Sequence, residues 1–200
     1  MVDAHASVSP SLADGRLVLR PWRDTDVAEL HAAVQESVAR VGRWLPWCRA
    51  DYDRERAEAW TVHCRETWQT GTQFAFAVRD AVSGELLGGC GLNQLNPPHR
   101  SANLGYWVRA SRQGQGIAAA AARLVARFGF IELGLIRIEV VTLPDNRASR
   151  RVAEKLGARL EAIARQRLWA WDRAHDAAVY ALIPDDLPQP AAEQNAATSS

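Results

Sequence analysis

The order of elements along the chain, β-α-α-β-β-β-α-β-α-β-β, predicts an α+β domain: a mixed, mainly antiparallel sheet flanked by helices, with a central β-α-β unit. Three observations carry this reading. Short segments of alternating apolar residues mark strands. Longer segments with apolar residues three and four apart mark helices. A glycine-rich turn near residues 113–117 joins a strand to a helix that returns to a parallel neighbour, a connection that is right-handed in nearly all proteins.

Arg16 to Arg20 alternates and reads as a strand closed by Pro21. Asp24-Thr25-Asp26 offers N-cap oxygens for a helix whose apolar stripe is Val27, Leu30, Val34 and Val38. A rigid aromatic loop follows, Trp44-Leu45-Pro46-Trp47. Asp53 can cap a second helix to about Trp68, broken at Gly71. Gln73–Val78 and Glu85–Leu92 form a hairpin about Ser83-Gly84, and Ala102–Arg109 is a further strand. An alanine-rich helix then runs from Ile117 to about Glu132, with Leu124, Val125 and Phe128 on its apolar face. Ile136–Leu143 is a β-branched strand. Asp145-Asn146 caps a helix that ends at Leu156, with Gly157 as a left-handed stop. Strands near Ala158–Leu168 and Asp176–Ile183 complete the set.

Bulk composition narrows the function. The chain has 200 residues, enough for one full core, here placed at 12–187 between loose tails at 1–11 and 188–200. A net charge of +1 argues against nucleic acid or an anionic membrane as partner. No apolar run is long enough to span a bilayer, and Met1 to Pro10 lacks the pattern of a secretory signal. Cys48, Cys64 and Cys90 are odd in number and widely spaced, which suggests reduced thiols in a cytoplasmic protein and no metal site. Eight tryptophans against three tyrosines suggest that some line a pocket.

The segment Gln113-Gly114-Gln115-Gly116-Ile117-Ala118 carries the most chemistry. Its glycines let the backbone turn tightly, and the first N–H groups of the following helix have no internal partner. Together with the helix dipole they suit a pyrophosphate, with Arg109 and Arg112 able to add charge. A P-loop would need Gly-Lys-Ser/Thr where Gly116-Ile117-Ala118 stands. Gly114, Gly116 and Ala119 do satisfy a dinucleotide fingerprint, but too few βα units follow for a doubly wound fold. A purely structural glycine turn is the remaining alternative.

With the strand before it and Asp145-Asn146-Arg147-Ala148-Ser149 after it, this turn resembles the GNAT acetyltransferases. Their phosphate motif, Gln/Arg-x-x-Gly-x-Gly/Ala, is met by Gln113, Gly116 and Ala118. Within that superfamily the chain is similar to the RimJ/RimL-type ribosomal-protein N-terminal acetyltransferases. The similar segments are Leu17–Trp22, Trp44–Trp47, Leu104–Val108, Gly114–Ala118, Arg137–Val140, Asp145–Ser149 and His175–Ala181, spread over about residues 16–184. The resemblance implies direct acetyl transfer from acetyl-CoA to an amine, with no metal. It implies that Trp107 and Val108 hold the pantetheine arm, that Gln113, Gly114, Gln115, Gly116, Ile117 and Ala118 bind the pyrophosphate beside Arg109, and that Asn146 contacts the cofactor arm. Ser149 stands where the family places a hydroxyl that protonates the leaving thiolate. Trp44, Trp47, Tyr106, His175 and Asp176 are the residues assigned to the acceptor. The family also admits a homodimer.

Each assignment has a plainer counterpart. Asn146 and Ser149 also read as N-cap and N3 of a helix. Tyr106 and Trp107 also read as core, Trp44 and Trp47 as loop packing, and His175 and Asp176 as the opening of a strand. The general base is the open point. Asn103 and Leu168 stand where relatives carry Glu. Glu139 is the catalytic candidate left on the central strands, with Asp172, His175 and Asp176 behind it.

At pH 7 an α-amine of pKa about 8 is about one-tenth neutral, and a lysine about four parts in ten thousand. A site without a strong base therefore suits the N-terminal α-amine of a protein or peptide. A small amine such as a polyamine, amino acid or antibiotic is the alternative acceptor; an acidic pocket drawn from Glu36, Asp51, Asp53 and Asp176 would favour it. A quiet acyl-CoA-binding module is the reading from another class.

Overall fold

The computed structural model describes residues 10–187. The tails expected at 1–11 and 188–200 lie outside that range, apart from Pro10 and Ser11. The elements in chain order are β1 (Leu12–Ala13), β2 (Leu17–Pro21), α1 (Val27–Val41), α2 (Arg54–Thr70), β3 (Phe74–Asp80), β4 (Leu86–Asn96), β5 (Ser101–Val108), α3 (Ile117–Ile131), β6 (Arg137–Thr142), α4 (Arg147–Leu156), β7 (Arg159–Ala170) and β8 (Arg173–Leu182). They build one sheet in the order β1-β2-β3-β4-β5-β6-β8-β7. Every neighbouring pair is antiparallel except β5 and β6, which α3 connects.

Apolar side chains are buried on both faces of this sheet. Leu19, Phe76, Leu92, Leu104 and Ile138 pack with Val125 and Phe128 of α3 and with Tyr180 of β8. Trp22, Ala77 and Leu86 pack with Leu30 and Val34 of α1 and with Ala57 and Cys64 of α2. The alternation read from the sequence is therefore real for β2 and β6, whereas β3 is buried on both faces. Burial of this kind contributes about 1.5–3 kcal/mol per large apolar side chain.

Most boundaries match the sequence reading within a few residues, and three points differ. The short strand β1 carries no pattern of its own and forms by pairing Leu12 with Leu19. The strand expected from Asp176 starts at Arg173, extended by pairing with β7. Asp26 stands at the N-cap of α1 but makes no side-chain cap bond. Its carboxylate is buried and spent on Arg20, Arg79 and the N–H of Arg23. Asp53 does cap α2, accepting from the N–H of Arg56 at 2.8 Å.

Candidate active site

The sheet opens at its centre. β5 and β6 pair only from Ser101 with Arg137 to Asn103 with Glu139, although both strands continue past that point. The carbonyl of Arg100 accepts from Ile136 on the β6 side, while the N–H of Arg109 donates to Leu87 on the β4 side. Strand alternation then directs the backbone groups of Leu104, Tyr106 and Val108 toward β6. Past Asn103 no strand partner meets them on that side, so they line a wedge-shaped gap.

The glycine turn lies at the end of β5. Gly114 and Gly116 have φ of +79° and +77°, a region that side chains with a Cβ rarely adopt. A Cβ at either glycine would meet nothing within 4 Å, so the space in front of the turn is open. Gly116 is the N-cap of α3 and supplies no side-chain cap, which leaves the first N–H groups of α3 without partners in the helix. Gln113 closes the turn from behind, its Nε2 donating to Val108 O at 3.1 Å. The guanidinium of Arg16, from the start of β2, donates to Gln115 O at 3.4 Å.

Arg109 corrects the expectation that it adds free charge at the turn. Its guanidinium is held by Glu36 of α1 at 2.5 Å and by Glu85 at 3.1 Å. Arg112 is likewise paired with Glu85 at 2.5 Å. Glu36 also accepts from the N–H and hydroxyl of Ser111, at 2.8 and 2.6 Å. The hydroxyl of Ser37 accepts from the N–H of Ala110 at 3.0 Å. These bonds clamp α1 to the approach of the turn. The Arg109 guanidinium foremost, with help from Ser111, pulls the Glu36 carboxyl down to about 2.

Across the gap, Asn146 caps α4 by accepting from the N–H of Ser149 at 3.1 Å. Ser149 in turn meets Tyr106: the phenol oxygen lies 3.0 Å from both Oγ and O of Ser149. Two hydroxyls thus bridge from β5 to the start of α4. Burial pushes the Tyr106 phenol well above its ordinary range, so it stays a neutral donor.

Glu139 is not a free base. Arg137 holds it at 2.9 Å and also reaches Glu161 at 2.6 Å. Asn103, paired in register with Glu139, donates to Asn93 Oδ1 at 2.8 Å. Its own Oδ1 is buried and has no hydrogen-bond partner among the described residues.

A cleft of about 670 Å³ adjoins the start of α4. Its walls are Arg43 and Trp44 from the α1–α2 connection, Leu143 to Asp145 after β6, and Trp171 with Arg173 to Asp176 of the β7–β8 hairpin. Of the five residues assigned to the acceptor, Trp44, His175 and Asp176 line this cleft. Tyr106 stands at the gap. Trp47 packs edge-on to Trp107, with ring centroids 5.5 Å apart, and so buttresses β5. The acidic residues do not converge. Glu36 is in the clamp, Asp51 pairs with Arg49 and Arg56, Asp53 is a cap, and Asp176 accepts from the N–H of Gln166.

Residues 16–159 match the Acetyltransferase (GNAT) domain family. The chain belongs to the GNAT acetyltransferases. It is similar to the uncharacterized N-acetyltransferase YoaA of Bacillus subtilis, 27% identical over 87% of this chain and 97% of that protein. The ribosomal-protein-serine acetyltransferase of Escherichia coli is 33% identical over half of this chain and 56% of its own length. Among solved structures, Mycobacterium smegmatis RimJ in complex with CoA-disulfide matches with a TM-score of 0.77 and 28% identity, covering 92% of this chain and 90% of that one.

The protein is therefore an acetyl-CoA-dependent N-acetyltransferase, and the site fits that co-substrate. An uncapped helix start, open glycines and an unpaired strand edge suit an anionic ligand on an extended arm. Among the described residues no cluster of His, Cys, Asp or Glu could hold a metal ion. No helix among them is long and apolar enough to cross a membrane.

Sequence reasoning missed the roles of Arg16, Glu36 (read only as a candidate for an acidic acceptor pocket), Ser37 and Trp171. The first three reach the turn from distant segments, and nothing local marks them. Trp171 does carry a signal in the structure. It and Asp172 form the two-residue tip between β7 and β8, at φ of +48° and +57°. Such a tip favours Asn-Gly, and a bulky residue there is strained. Held in that conformation, the Trp171 ring stands 5.5 Å from His175 at the cleft.

Proposed function

We propose that this enzyme acetylates the N-terminal α-amine of a protein or peptide. The observation that carries the reading is that two of the candidate bases, Glu139 and Asp176, are already engaged. Glu139 is tied to Arg137, and Asp176 to the backbone of the hairpin. A site that cannot readily take a proton selects an acceptor that loses one easily. Deprotonation at pH 7 costs about 1.4 kcal/mol for an α-amine and about 4.6 for a lysine. Related proteins named as ribosomal-protein acetyltransferases support the same class of acceptor.

Acetyl-CoA, when bound, supplies an activated thioester acyl group. In this reading the N–H groups at residues 113–118 hold its pyrophosphate. The backbone N–H of Val108, on the edge that faces the gap, orients the arm and polarises the carbonyl, whereas the backbone of Trp107, one residue out of phase, faces β4 and corrects the expectation that it holds the arm. Asn146 fixes the start of α4. Ser149, backed by Tyr106, holds a hydroxyl hydrogen where a leaving thiolate needs one. Trp44 and His175 help position the acceptor.

The test is mass spectrometry of products from peptides that begin with Ser, Ala or Thr and carry one internal Lys, with spermidine and an aminoglycoside alongside. Acetyl on the α-amine is expected, with kcat/KM rising with pH toward a plateau near about 8. Preference for the lysine ε-amine or for the small amines would overturn the reading.

A further inference from the structure

We infer that the acceptor cleft selects peptides that carry acidic side chains just behind their N-terminal residue. This rests on the α-amine reading above and adds the sequence class of the substrate. The cleft is not uniformly charged. Asp145 lies at its α4 end, next to Asn146, where the amine must arrive. Asp176 faces a backbone donor. On the other walls, Arg43 lies over the Trp44 ring at 4.7 Å, and Arg173 lies beside His175.

Neither Arg43 nor Arg173 pairs with a carboxylate among the described residues, and both are exposed. Arg165 and Arg167 of the same hairpin are also exposed and unpaired among these residues. The guanidiniums of Arg49, Arg109 and Arg112 are, by contrast, each matched to an acid. A guanidinium left open on a cleft wall, with a planar fork of donors, suits a carboxylate. A negative end for the ammonium and a positive wall behind it therefore describe an acceptor with a free α-amine followed by Asp or Glu. A polyamine meets the same wall with like charge.

The test compares peptides that share an N-terminal Ser and continue with Asp-Glu, Ala-Ala or Arg-Arg; arginine avoids a second acetylatable amine. The expected order of kcat/KM is acidic, neutral, basic. Each step is about fivefold, the size of two partly screened ion pairs. The effect should sit mainly in KM, because these charges lie away from the reacting atoms. It should shrink at high salt.

Arg43→Glu and Arg173→Glu should each flatten or reverse the order. Unchanged CoA affinity, by calorimetry, confirms that each variant is folded. Equal kcat/KM for the three peptides overturns this inference and leaves the α-amine reading intact. So does an acidic preference that neither reversal alters. Acetylation of spermidine with no peptide product overturns both.

Discussion

The two halves of the proposed site are built on different principles. The cofactor half is made of backbone: two glycines at positive φ, an uncapped helix start and a strand edge that loses its partner at Asn103. The acceptor half is made of side chains from three loops, with Trp44, Asp145 and Trp171 coming from opposite ends of the chain. Backbone sites recognise what every substrate pair shares, the pyrophosphate and the thioester arm. Side-chain sites recognise what differs, so acceptor specificity can change without disturbing acetyl transfer.

The contrast can be broken most directly at Gly116. Gly116→Trp should lower CoA affinity more than a hundredfold, measured by calorimetry. The strain of a left-handed residue should cost only about 1–2 kcal/mol of stability, a fall of a few degrees in Tm for a chain of this size. Unchanged affinity would remove the turn from the cofactor site.

The clamp behind the turn offers a smaller effect. Glu36→Ala should weaken CoA binding about tenfold, because Arg109 and Ser111 lose their anchor on α1. The pH dependence has a defined sign. The Glu36 carboxyl lies near 2 in the folded protein, below its ordinary 4.5. Its contribution to stability is therefore fully present above about pH 4.5 and is lost as pH falls through about 2. Thermal melts of wild type and variant should differ by a constant amount between pH 5 and 8 and converge in acid. A gap that widened in acid would contradict the ion pair.

The smallest effect sharpens the acceptor half. Trp171→Gly relieves a strained hairpin tip, so Tm should hold or rise by up to about 1 kcal/mol equivalent. The KM for a peptide acceptor should nevertheless rise severalfold while the KM for acetyl-CoA stays put. A loss of stability would show that the ring is needed for packing rather than for the cleft.

This contrast also explains what could be read from the sequence. The turn at 113–118 was legible because its requirements are local: positive φ needs glycine, and an uncapped helix start is contiguous in the chain. Asn146 and Ser149 are legible as N-cap and N3 of α4 for the same reason. The partners of charged residues were not legible. Glu139 reads as available in sequence, yet Arg137 holds it; Arg109 reads as free, yet Glu36 reaches it from 73 residues away. Which carboxylate neutralises which guanidinium depends on how helices sit on the sheet, and periodicity carries no record of that.

Helix α1 touches both halves. Glu36 and Ser37 grip the approach to the phosphate turn, and the helix ends at Val41, two residues before Arg43 enters the acceptor cleft. A rigid rod between two ligand sites makes them thermodynamic correspondents. If occupying the turn steadies α1 and so alters acceptor affinity by some factor, the acceptor must alter cofactor affinity by that same factor.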